Sequence, residues 1–236
     1  MPDLFTPKTL AFLRALKKNN DRAWFHARRD QYEAHVREPM ARLVERLAND
    51  FPAFAPEFQA DPKISLFRPW RDTRFSEDKS PLKTNIAAVF PVRALGRMRG
   101  AGLYLEVAPQ WTWIGGGLYA PDTAQLHAVR EHVAANYEEL ASIVTSPAFR
   151  KIGGLKGEVL TRVPRGFPKD HPAAGYLRHK QFLGFREEPA AFATRPDFYR
   201  QLVATFKTLT PMCRFLNGPI EEMGHVRNRA HLLDQE

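Results

Sequence analysis

The chain is nearly devoid of cysteine. One in 236 residues, Cys213, lies among apolar neighbours in PMCRFL. No intramolecular disulfide can form, and nothing calls for an oxidising compartment. Long apolar runs are missing too, for none approaches the roughly 20 residues that span a bilayer. The first stretch, MPDLFTPKTLAFLRALKKNN, has an acid at Asp3 and its cations after the apolar part, the reverse of a secretory signal. These absences lead to the expectation of a cytoplasmic protein with no membrane partner.

Signatures of several familiar chemistries are absent as well. There is no G-x-x-x-x-G-K-[ST] phosphate loop, no G-x-S-x-G elbow and no H-E-x-x-H. Gly115-Gly116-Gly117 lacks both the G-x-G-x-x-G spacing and the helix placement of a dinucleotide site. His127 and His132, five apart on an expected helix, are poorly aligned for one metal. Cys213 has no histidine near it in sequence, so core packing is the expected role rather than nucleophile. No metal is expected, and no pattern names a cofactor, an oligomeric state or a reaction.

Positive charge is present in excess: 35 Lys and Arg face 26 Asp and Glu, a formal net charge of +9. A field of that sign favours anionic partners such as phosphorylated metabolites or nucleic acid, although it also serves solubility alone. Hydrophobic residues make up 44% of the chain, ample for a core.

Along the chain, Thr6-Pro7 reads as a helix start, with Leu10, Leu13 and Leu16 on one face. Asp21 can cap a second helix carrying Phe25, Tyr32 and Val36, which Pro39 should bend or restart. Strand patterns follow at 64–67, 85–90, 103–108 and 111–114, the last two joined by the short Pro109-Gln110 connection. Pro121-Asp122 opens a helix, further strands are expected at 159–160 and 181–186, and a final helix runs from about Pro196, restarting at Pro211. The order predicts a single α+β domain over 1–236, with a central, mainly antiparallel sheet flanked by N- and C-terminal helices and a tail fraying from about 219.

One segment fits no periodicity. Residues 68–84, RPWRDTRFSEDKSPLKT, hold five cations, three carboxylates, two aromatics and two prolines. Arg68, Arg71 and Arg74 recur every third residue, and a turn-rich path would aim their guanidinium groups into one space, where they suit carboxylate or phosphate. Lys79 and Lys83 add compact charge and Thr84 a hydroxyl. Asp72 and Asp78 either orient the arginines or serve as general base or ligands for a hard cation.

This segment resembles the hallmark of a conserved hypothetical family of bacterial and fungal proteins, domain of unknown function 2461. Asn19-Asn20-Asp21-Arg22-Ala23-Trp24-Phe25 resembles the N-terminal motif of that family. Gly115 to Pro121 and Pro164-Arg165-Gly166-Phe167 resemble later ones. At Leu82 the chain departs from the family, which usually carries tyrosine there. The resemblance implies positions and no activity.

The expected function is a basic pocket for a phosphorylated or carboxylated small molecule. Its ligand-binding candidates are Arg68, Arg71, Arg74, Lys83, Thr84, Gly116 and Gly117; the catalytic candidates, should it be an enzyme, are Asp72, Asp78 and Lys79. Two alternatives stand beside it: a nucleic-acid-binding module using the same cations, with Trp70 on bases, and an internal ion-pair network that locks a loop.

Overall fold

Pro7 stands in the first turn of α1 (Pro7–Lys18), where its missing N–H costs nothing, and Thr9 Oγ1 accepts from Thr6 N at 3.1 Å. The structure, a computed structural model, describes residues 4–233. Asp21 caps α2 (Arg22–His26) by accepting from Trp24 N at 2.8 Å, as its position predicts. After α3 (Arg29–Tyr32) the helix widens into a π-helical turn over Glu33–Arg37 before α4 (Glu38–Asp50). Pro39 explains the irregularity: without an N–H it cannot bond to His35 O, four residues back. That carbonyl is taken instead by the buried Thr9, whose hydroxyl donates to it at 2.7 Å.

The strands are β1 (Ile86–Phe90), β2 (Gly102–Val107), β3 (Trp111–Leu118), β4 (Leu155–Lys156) and β5 (Phe182–Pro189). They form one five-stranded antiparallel sheet in the order β1-β2-β3-β5-β4. Alternation holds as expected in β2: Leu103, Leu105 and Val107 are fully buried, while Tyr104 is half-exposed. The remaining helices are α5 (Pro62–Ser65), α6 (Thr123–Ala135), α7 (Tyr137–Val144), α8 (Pro147–Lys151), α9 (Ala174–Leu177) and α10 (Phe198–Leu233). The chain is α+β, with helices from both its N-terminal and C-terminal stretches.

Four expectations change. The strand expected at 64–67 is largely α5, capped by Asp61 and started by Pro62, with only Leu66 bridging to Ala88. Val159, expected in a strand with Leu160, makes one isolated bridge to His179, and the nearby strand is β4. Pro211 does not restart the last helix; Pro211 and Pro219 both lie inside the 36 residues of α10. The stretch from 219, expected to fray, is helical as far as Leu233, and residues 234–236 lie outside the described ones.

Two compact units divide the chain: Met1–Phe90, Tyr104–Ile114 and Arg186–Ala204 make one, and Pro91–Leu103, Gly115–Phe185 and Thr205–Glu236 the other. In the first, α1 and α4 bury Leu13, Leu16, Leu43 and Leu47, and the Phe51 ring meets Phe90 at 5.5 Å. In the second, Gly184 brings β5 against α10 and α8, so close that a Cβ there would lie 2.6 Å from Leu209 and 2.8 Å from Phe149. Cys213 is buried in this second unit. Among the described residues no helix is long and apolar enough to cross a membrane.

Candidate functional site

The charged segment is an irregular hairpin in the first unit. Its two arms are zipped by backbone pairs: Arg71 N donates to Pro81 O at 2.9 Å, Lys83 N to Pro69 O at 2.7 Å, and Phe67 N to Ala87 O at 3.2 Å. Pro69 and Pro81 cannot donate, but in this register each need only accept, so the prolines that break periodicity still fit a ladder. The tip, 72–80, is tied by side chains. Ser80 N donates to Asp78 Oδ1 at 2.8 Å and Lys79 Nζ to Thr73 O at 3.0 Å.

The arginines do not share one space. Arg71 turns inward, where its guanidinium pairs with Asp78 and donates to Ser76 Oγ at 3.3 Å and Ser80 O at 3.4 Å. Arg74 points to solvent and forks onto Asp72, with Nε to Oδ1 at 3.0 Å and Nη2 to Oδ2 at 2.7 Å. Arg68 is exposed and adds field at Asp72. Phe75, 96% exposed, caps the tip beneath Arg74.

Behind the hairpin lies a cavity of about 470 Å³. Lys17 from the end of α1, Asn20 from the following turn, and Arg71, Asp78, Lys83 and Thr84 from the two arms line it, joined by Ser80, Leu82 and Asn85. Its lining thus carries three cations and one carboxylate. Of the residues expected from sequence, Arg71, Lys83, Thr84 and Asp78 line it; Arg68, Arg74, Asp72 and Lys79 do not. Gly116 and Gly117 are used in β3. A Cβ on Gly116 would come 3.0 Å from Gly102 O, and one on Gly117, whose φ is +130°, 2.0 Å from Phe182 O. Both glycines permit close strand packing.

Electrostatics assign the aspartates a role. Hydrogen bonds from Ser80, side chain and backbone, and then Arg71 hold Asp78 down at about 2. Asp72 is lowered chiefly by its bond from the Arg74 side chain. Each carboxylate is paired with an arginine here, Asp78 with Arg71 and Asp72 with Arg74. Among the described residues no three His, Cys, Asp or Glu side chains gather as a metal site would require.

Lys17, Asn20, Ser80 and Asn85 are site residues that sequence reasoning did not select. Asn20 had a signal, its place in the NNDRAWF motif; Lys17 had none beyond ending a helix. Trp24, in the same motif, is half-exposed, packing on Phe12 at 5.6 Å with Arg28 over its ring at 4.7 Å. In the second unit, Lys180 pairs with Glu158 at 3.1 Å and the His179 ring bonds to Gln181 O at 3.1 Å.

Comparison with protein families returns one described as conserved hypothetical protein (DUF2461), matching residues 8–215. The chain belongs to this family. Neither the curated proteins nor the solved structures contain a significant match.

Proposed function

We propose that this member of the family binds a small anion, phosphorylated or carboxylated, in the cavity behind the charged hairpin. The observation that carries the reading is the charge of the lining: Lys17, Arg71 and Lys83 against Asp78 alone. An anion entering there meets a planar fork already held by Asp78 and two compact ammonium groups. A volume near 470 Å³ lies in the range of about 300–1,000 Å³ typical of small-molecule sites, and favours such a ligand over nucleic acid. A cytoplasmic location belongs to the same proposal. The proposal is of binding; catalysis by Asp72, Asp78 or Lys79 would require each to leave the partner it has here.

A second reading has its own support. Arg74–Asp72 and Arg71–Asp78 are pairs within the hairpin, as a purely architectural lock would have them. Calorimetric titration with inorganic phosphate, beside thermal melts, separates the two. The pocket reading expects Lys83→Ala to weaken binding about ten-fold or more, since a charge-assisted contact is worth about 1.5–3 kcal/mol. The lock expects no binding by wild type and a lowered melting temperature for Arg71→Ala.

A further inference from the structure

From the cavity an aromatic path leads onto the sheet. Lys83, part of the cavity lining, holds its Nζ 4.8 Å from the centre of the Phe67 ring, and Phe67 meets Tyr104 of β2 edge-on at 6.3 Å. Tyr104 donates its hydroxyl to Glu106 Oε2 at 2.7 Å. The other oxygen of Glu106 accepts from Trp111 Nε1 at 2.9 Å, and Trp111 lies against Trp113 at 6.2 Å. Phe67, Tyr104, Trp111 and Trp113 are all half-exposed; Tyr104, Trp111 and Trp113 project from the face of β2 and β3 opposite to Leu105 and Ile114, which are fully buried, and Phe67 meets Tyr104 from the segment just before the charged hairpin. Glu106 sits among them 7% exposed.

A carboxylate buried in an aromatic shelf is an unusual use of charge, since burying it costs free energy unless it is well bonded. Glu106 receives two hydrogen bonds, one per oxygen, out of about four lone-pair sites. Its remaining capacity is for donors only. Trp113 Nε1 likewise donates to the exposed carboxylate of Glu187 at 2.6 Å. The shelf therefore offers flat apolar faces rimmed by acceptors.

We propose that this shelf takes the ring of a charged sugar, whose phosphate or carboxylate group occupies the cationic cavity; the inference rests on the anion-binding reading and names its ligand class. A pyranose presents an apolar C–H face to an aromatic ring and several hydroxyl donors at its edge, which is what Phe67, Tyr104 and Trp111 with Glu106 complement. A nucleobase fits less well. Phe67 and Tyr104 are inclined at 67° and Trp111 and Trp113 at 36°, so neither of these two pairs forms the parallel slot that would sandwich a flat base.

Calorimetry on the full chain tests this with inorganic phosphate, a set of hexose phosphates, hexuronates and adenosine monophosphate. The expected result is a hexose phosphate or hexuronate binding at least ten-fold more tightly than phosphate. Glu106→Gln, which nearly keeps shape, should remove that advantage while leaving phosphate affinity unchanged, and Trp111→Ala should do the same. Should Trp111→Ala fail to fold, Trp111→Phe, which loses the indole donor and part of the face, replaces it with a smaller loss of the same kind. Hexose phosphate preferred over hexuronate identifies the anion as phosphate, and the reverse as carboxylate. Phosphate binding with no advantage for any sugar overturns this inference alone. Adenosine monophosphate binding more tightly than every sugar also overturns it, in favour of a base. Absence of all binding overturns the cavity reading as well.

Discussion

Asn20 grips Leu82 with both ends of its carboxamide: Nδ2 donates to Leu82 O at 2.9 Å, and Leu82 N donates to Asn20 Oδ1 at 3.0 Å. The side chain acts as a short strand edge, fastening the return arm of the charged hairpin to the turn after α1. Each such bond is worth about 0.5–1.5 kcal/mol net, so Asn20→Ala should cost about 1–3 kcal/mol and expose 68–84 to protease. Asn20→Asp should be no better, because an oxygen would then face Leu82 O. Thermal melts and limited proteolysis of both variants read the effect.

The hydroxyl of Thr9 satisfies the carbonyl that Pro39 abandons at His35. Thr9→Val keeps the shape of this buried residue and leaves that acceptor unmet, so a loss of about 1–3 kcal/mol is expected. Adding Pro39→Ala restores an N–H four residues after His35, and the double variant should recover part of the loss in chemical denaturation.

Acid should loosen the hairpin. Asp78 is held at about 2, below its ordinary value near 3.8. Its folded-state value is depressed, so its contribution is fully present above the ordinary value and is lost as pH falls through about 2. Susceptibility of the tip to pepsin should therefore rise between pH 4 and 2, and Asp78→Asn should show the same susceptibility already at pH 4. A tip equally protected in both proteins at that pH would contradict the assignment.

Gly117 is held at a positive φ, and a Cβ added there would lie 2.0 Å from Phe182 O. Gly117→Ala combines backbone strain with a steric clash, and a loss of about 2–4 kcal/mol is expected in denaturant unfolding. If the glycine serves the sheet alone, anion affinity of the folded variant should match wild type. A stable protein with lost affinity would return Gly117 to the binding site.

Much of this architecture was legible in the residues. Alternation at Leu103, Leu105 and Val107 placed β2, and the short Pro109-Gln110 connection placed β3 beside it. The charged segment stood out by composition, but its internal geometry did not. Whether an arginine meets a carboxylate two residues away, as Arg74 meets Asp72, or seven away, as Arg71 meets Asp78, depends on turns that periodicity does not encode. Lys17 joins the cavity only because the fold brings the end of α1 to the same cavity as hairpin residues over fifty positions away in sequence. The π-helical turn was hidden for a similar reason: Pro39 signalled a disturbance, while its form depended on Thr9, thirty positions earlier.

Phosphate titration calorimetry on wild type and Asp78→Asn tests most directly whether Lys17, Arg71 and Lys83 line an anion site. Removing this carboxylate from the lining frees the Arg71 fork and raises the local positive charge. Wild type should bind phosphate and Asp78→Asn should bind it more tightly, by about three-fold or more, even though its thermal stability falls. No heat of binding in either protein, with the variant merely less stable, would contradict the site and leave the hairpin as a structural lock.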